Sequence, residues 1–140
     1  MELSDALEYV RQRKHGVLVT LKRDGRPQLS NIVYHVTDDG TIQISVTADR
    51  AKTRNLERDP RASLHVTADD FWSYCVIEGD VTMTPTSTDP YDDTVEAMVG
   101  WYRAMSGEHP DWDDYRAAMV RDGRRLVTLT PTHAYGMLGS

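Results

Sequence analysis

Polar and apolar residues alternate most cleanly over residues 41–47, where Ile42, Ile44 and Val46 share one face and Gln43, Ser45 and Thr47 the other. A period of two marks a half-buried strand. Residues 61–67 repeat the pattern through Ala62, Leu64 and Val66. β-Branched residues predict further strands over 17–22, 28–37, 74–84 and 125–130. Asp24-Gly25 and Asp38-Asp39-Gly40 supply hairpin turns between the early strands. Gly79 falls inside the fifth strand and predicts a bulge or a close backbone approach. Helical spacing appears in three other places. Leu3, Leu7 and Val10 predict a first helix capped by Ser4 or Asp5 and stopped by Gly16. Val95, Met98, Val99, Tyr102 and Met105 predict a helix over 92–105, and Trp112, Tyr115 and Met119 one ended by Gly123. Six short strands joined mostly by tight turns predict a mainly β fold, an antiparallel sheet closing into a small barrel with the helices at its side.

Between the third and fourth strands lies Arg50-Ala51-Lys52-Thr53-Arg54-Asn55-Leu56, which opens a short helix ended by Asp59-Pro60. Cations at a helix start oppose its dipole by about 0.3–1 kcal/mol each unless an anion is present. Arg50, Lys52 and Thr53 therefore form a candidate phosphate site, and Arg54 and Asn55 extend it toward a second anionic group. The plainer reading is a solvated helix start whose cations pair with Glu57 and Asp59.

The net charge of −6 makes this basic cluster local, and it argues against nucleic acid or an anionic membrane as partner. Nine acids against three bases over residues 89–122 hold the whole of that excess. A length of 140 residues implies one domain over 1–140, large enough for a real core. The single cysteine, Cys75, excludes an internal disulfide and reads as buried and inert. The chain has no apolar run of membrane-spanning length and opens on an acidic segment, so a cytoplasmic protein is expected.

Gln28, Ser30 and Asn31 begin the second strand beside Pro27, where amides and hydroxyls can read the edge of a heterocycle; ordinary turn-exit polarity is the alternative. Ser45 lies on the polar face of its strand, close in sequence to Arg50. Phe71-Trp72-Ser73-Tyr74 is an aromatic cluster suited to core or interface burial, or to stacking on a planar ring. The five histidines show no metal spacing; His35 and His65, both in strands, read as structural. No glycine-rich phosphate loop and no nucleophile triad is present. Such a chain has a site for an anionic aromatic ligand without a catalytic set of its own, which fits chemistry carried by a cofactor.

Gly25-Arg26-Pro27-Gln28-Leu29-Ser30-Asn31, the Arg50–Leu56 segment, Asp59-Pro60-Arg61-Ala62 and Trp72-Ser73-Tyr74 together resemble the pyridoxamine-phosphate-oxidase-like split-barrel flavoproteins. Gly107-Glu108-His109-Pro110-Asp111-Trp112-Asp113-Asp114-Tyr115-Arg116 is similar to the actinobacterial branch that binds the deazaflavin coenzyme F-420. The resemblance implies a six-stranded split barrel working as a homodimer, with cofactor sites at the interface. By position, Arg50, Lys52 and Thr53 would hold the cofactor phosphate with Ser45 nearby. Asn55 would assist at the phosphate or the glutamyl tail. Gln28, Ser30 and Asn31 would contact the ring, and Trp72 and Tyr74 of the second subunit would cover it. The implied activity is hydride transfer from reduced F-420 to an enone, a quinone or a tetrapyrrole such as biliverdin, with Tyr74 or solvent as proton donor. The rivals are an FMN-dependent oxidase or flavin reductase, and a protein that only carries F-420. The arginine and histidine of the vitamin-oxidising enzymes have no counterpart in the closing 133–140 segment.

Overall fold

The computed structural model describes residues 1–139. In chain order they form α1 (Leu3–Arg11), β1 (His15–Leu21), β2 (Pro27–Val36), β3 (Ile42–Thr47), α2 (Ala51–Arg58), β4 (Arg61–Thr67), β5 (Tyr74–Met83), α3 (Asp93–Ser106), α4 (Trp112–Arg121) and β6 (Arg124–Met137). All strand pairs are antiparallel, and the sheet closes on itself in the order β1-β2-β3-β6-β5-β4. This is the expected six-stranded split barrel with peripheral helices.

The period-two faces explain the closure. Leu18, Ile32, Tyr34, Ile42, Ile44, Leu64, Val66, Ile77 and Leu129 point inward and are buried in one core. α1 packs on β2, β5 and β6, adding Ala6 and Val10 to that core. The buried Tyr34 hydroxyl donates to the Val10 carbonyl at 2.6 Å, which holds the helix to the barrel. α3 and α4 build a second, smaller core around Val95, Met98, Val99, Tyr115 and Met119, packed on Leu126 of β6.

Three expectations need correction. β6 runs on to Met137 instead of ending near residue 130. Pro131 sits opposite Gly79 at the bulge between Glu78 and Gly79, where an interrupted ladder tolerates a residue without an N–H. Gly16 lies inside β1 rather than stopping α1; a Cβ there would meet Leu64 Cδ1 at 2.9 Å and the His65 carbonyl at 3.0 Å. Glu2, not Ser4 or Asp5, is the N-cap of α1, and its side chain makes no capping bond. Phe71 and Trp72 are outside the core, on the turn before β5, with Trp72 74% exposed.

The barrel is open along one seam. β2 pairs with β1 from Pro27 to Val33, yet with β3 only from Tyr34 to Val36. β3 meanwhile continues beside β6, where Ser45, Val46 and Thr47 lie opposite Leu126, Arg125 and Arg124. A wedge therefore opens between the first half of β2 and the end of β3.

Candidate functional site

A cavity of about 320 Å³ fills this wedge. Asn31 and Val33 line it from β2, Ser45 from β3, Lys52 from α2 and Arg124 from β6. Met98 and Trp101 of α3 and Tyr115 and Met119 of α4 close its outer side. Trp101 Nε1 donates to the Gln43 carbonyl at 3.2 Å, and the Tyr115 hydroxyl to the Met98 carbonyl at 2.8 Å. These bonds tie the helical wall to the sheet and to itself. Burial pushes the Tyr115 phenol up to about 12, so it stays neutral.

The polar wall is cationic and uncompensated. Burial lowers the Lys52 pKa, and the charges of Arg50 and Arg124 lower it further. Arg124 reaches Ser45 Oγ through Nη1 at 3.4 Å, while its buried Nε has no partner. Among the described residues no carboxylate forms an ion pair with Arg50, Lys52 or Arg124. Glu57 instead pairs with Arg125, and Asp59 with Arg61. The plainer reading, in which those two acids neutralise the helix start, therefore fails. Lys52 and Arg124 are half-buried at the cavity wall and Arg50 is exposed, and without an acid paired to them this wall suits an anion.

The backbone adds to this. Arg50 is the N-cap of α2 with an extended φ of −77° and ψ of 150°, its side chain makes no capping bond, and the first turn carries no acid. The N–H groups of Ala51 and Lys52 meet no acceptor among the described residues, whereas those of Thr53 and Arg54 bond to the Arg50 carbonyl. Free N–H groups, the helix dipole and three cations converge on one place, as anion sites require.

The predicted residues divide into three groups. Asn31, Ser45 and Lys52 come together in the cavity, with Arg50 at its rim. Thr53 and Asn55 are close in sequence but buried, with their side chains committed elsewhere. The Thr53 hydroxyl donates to the Thr47 carbonyl at 2.6 Å, which fixes the entry into α2. Asn55 Nδ2 donates to Thr20 Oγ1 at 3.1 Å and its Oδ1 accepts from Arg58, which ties α2 to β1. In this structure these two side chains hold α2 in place, and Asn55 also lines the open cleft beside Arg54 and Arg58. Gln28 and Ser30 share the parity of inward-facing Ile32 and Tyr34, so β2 presents them on the face opposite to Asn31. Trp72 and Tyr74 lie away from this cavity; Tyr74 stacks on His65 with ring centroids 5.5 Å apart. Arg124 escaped the sequence reading because it follows Gly123 at the start of a strand, 72 positions after Lys52. Only the pairing of β3 with β6 brings the two together.

Two other depressions flank the wedge. One, of about 580 Å³, shares Asn31, Ile32 and Val33 with it and continues to His15, Val17, His65 and Thr67. The other, about 890 Å³ and wide open, is net basic: Lys22, Arg23, Arg54 and Arg58 line it with Asn55, against the two acids Asp24 and Glu57.

Comparison with known proteins agrees with this architecture. The family model described as pyridoxamine 5′-phosphate oxidase matches residues 3–138. Among solved structures, an F-420 reductase superposes with a TM-score of 0.68 at 23% identity, covering 91% of this chain and 94% of that one. A conserved hypothetical protein from Mycobacterium tuberculosis gives 0.73 at 23% identity, covering 98% and 84%. The haem storage protein from Vibrio cholerae gives 0.65 at 18% identity, covering 97% and 95%. At these identities the structural likeness is one of fold. With the family model spanning nearly all of the chain, and the split barrel it describes present, the chain belongs to the pyridoxamine 5′-phosphate oxidase family.

Proposed function

We propose that the chain binds F-420 and transfers a hydride from the reduced deazaflavin to an unsaturated small-molecule acceptor. The observation that carries this reading is the uncompensated cationic cavity at the uncapped start of α2. Arg124 Nε, buried and unpartnered, fits a phosphate oxygen as acceptor, and Lys52 fits as its charge partner. Lys52, Arg124, Ser45 and the N–H groups of Ala51 and Lys52 would hold the phosphate, with Arg50 adding charge from the rim. The shared ridge Asn31–Val33 leads from that anchor into the larger cavity, which suits a ring. The open basic cleft suits a carboxylate tail. Bound there, reduced F-420 supplies a hydride. The protein's part is to fix the ligand by its anion, exclude water with the α3–α4 wall and orient the acceptor. The presence of an F-420 reductase among the fold relatives supports the choice of cofactor.

The working form proposed is a homodimer. Leu29, Val33, Tyr135 and Met137 are exposed on the strands, and Phe71 and Trp72 on the turn before β5. The pairings Asn31–Val17–His65–Val76–Tyr135 run across five strands as one continuous outer row. Exposed apolar surface on this scale is what a second copy would cover.

Titration of the purified protein with F-420, followed by its fluorescence and with FMN as competitor, tests the reading. Saturable binding near one F-420 per chain that resists FMN supports it. Preference for FMN moves the protein to a flavin oxidase or reductase. Binding without turnover of any enone, quinone or biliverdin leaves a carrier.

A further inference from the structure

The larger cavity beside the anion site, where the cofactor ring would lie, also carries polar side chains to which the cofactor reading gives no task. Its walls are Val17, Ile32 and Val33 with Gly16, and its polar groups are Asn31, Thr67 and the imidazoles of His15 and His65. No lysine or arginine lines it, in contrast to the wedge and the open basic cleft. An acceptor held there is neutral and largely apolar, since an anionic one would find no counter-charge.

His65 is the group placed to act on such an acceptor. It stands on the outer face of β4, in register with Val17 on one side and Val76 on the other. Its ring is fixed twice: it stacks on Tyr74 at 5.5 Å with the planes 29° apart, and Nδ1 lies 3.4 Å from Thr67 Oγ1. The Thr67 hydroxyl accepts a proton from Nδ1 or donates one to it, so it serves either state of the ring. Nε2 is left as the ring nitrogen without a protein partner. Tyr74, the residue singled out from the sequence, does not line the cavity and acts as the platform for His65 instead.

Resting on the F-420 reading above, we propose that this cavity receives a neutral conjugated carbonyl compound, an enone or a quinone, and that His65 is the proton donor to it. The hydride from reduced F-420 adds to the acceptor's electron-poor carbon, and the displaced π pair moves toward the carbonyl. The carbonyl oxygen takes the proton held at Nε2, and solvent later returns it. The acceptor thereby gains two electrons and two hydrogens while the cofactor is oxidised. A tetrapyrrole bearing two carboxylates would find no lysine or arginine in this lining.

The test uses menadione as acceptor with parent protein, His65→Gln and, as control, the exposed His133→Gln. F-420 affinity is measured first for each by fluorescence. His65→Gln is expected to bind F-420 like the parent while kcat for menadione falls about 10²-fold, with little change in KM; Thr67→Val should show a smaller fall. A second readout needs no turnover. In protein with nitrogen-labelled histidine carrying oxidised F-420, the His65 signal, assigned by its absence from His65→Gln, should move on adding menadione. An unmoved His65 signal, or a His65→Gln protein that turns over menadione like the parent, overturns the inference and leaves the cofactor site standing. Failure of the parent to bind F-420 overturns both.

Discussion

α2 begins differently from α3 and α4. α3 and α4 each start on an aspartate whose side chain accepts from the helix backbone, Asp92 from Val95 N at 2.8 Å and Asp111 from Asp114 N at 3.1 Å. Both add acids in the first turn. α2 has no capping side chain, no acid in its first turn, and Lys52 and two arginines converging on it. Helix starts built only for stability look like the first kind. The second kind is an opposite electrostatic choice made once, at the seam where the barrel is open. The difference teaches where stability has been given up for a ligand: the acidic helical insertion is self-sufficient, and the basic α2 start is completed from outside.

The sharpest way to break the contrast is to remove its central charge. Lys52→Ala should weaken F-420 binding by the value of a charged hydrogen bond, about 1.5–3 kcal/mol, or about 10–150-fold in Kd. Arg11→Ala, whose guanidinium bonds to the Val36 and Thr37 carbonyls far from the wedge, should leave Kd unchanged. Equal affinities for the two variants in a fluorescence titration would remove Lys52 from the site. Arg124→Met comes next. It should weaken binding by about tenfold and leave the ligand-free protein about as stable as the parent, because the half-buried guanidinium, whose Nε has no partner, is exchanged for apolar atoms. Thermal unfolding with and without ligand measures both parts.

The other arm of the comparison predicts smaller effects of opposite character. Asp92→Ala should cost about 1 kcal/mol of stability without changing F-420 affinity, as read by denaturant unfolding and titration. The pH dependence follows from the same carboxylate. Burial raises its pKa, but the N–H bonds from Thr88, Val95 and Asp89 outweigh that and leave it below the ordinary value. Its contribution is therefore complete above the unfolded carboxylate pKa of about 4 and disappears as pH falls through the lower folded value. Asp92→Asn should flatten that acid limb of the unfolding curve. An unchanged limb would show that the cap does not titrate with folding.

What was legible in the sequence follows the same division. Strands with clean alternation, such as β3 and β4, and the cation-rich start of α2 depend on neighbours in sequence, so pattern alone reveals them. The far half of β6 was missed because Pro131 and Gly136 read as breakers; in the barrel they fall at the bulge and where a Cβ would meet the Tyr74 carbonyl at 2.3 Å. Arg124 was missed because its place in the cavity arises from pairing across strands. Thr53 and Asn55 were placed in the right locality, and the structure shows both side chains bonded within the protein. Proximity in sequence does not say whether a side chain faces the ligand or the Thr47 carbonyl and the Thr20 hydroxyl. Gln28 and Ser30 were separated from Asn31 by the pleat of one strand, since neighbouring positions on β2 face opposite ways.

The central claim is that the cations at the α2 start are kept unpaired for a ligand's anion. Thermal unfolding of the parent and of Lys52→Met, each with and without saturating F-420, tests it most directly. The account predicts that the variant unfolds no earlier than the parent when ligand-free, and that it loses most of the rise in midpoint that F-420 gives the parent. A variant that is destabilised when ligand-free, yet keeps the full rise with F-420, would make Lys52 a structural residue and contradict the account.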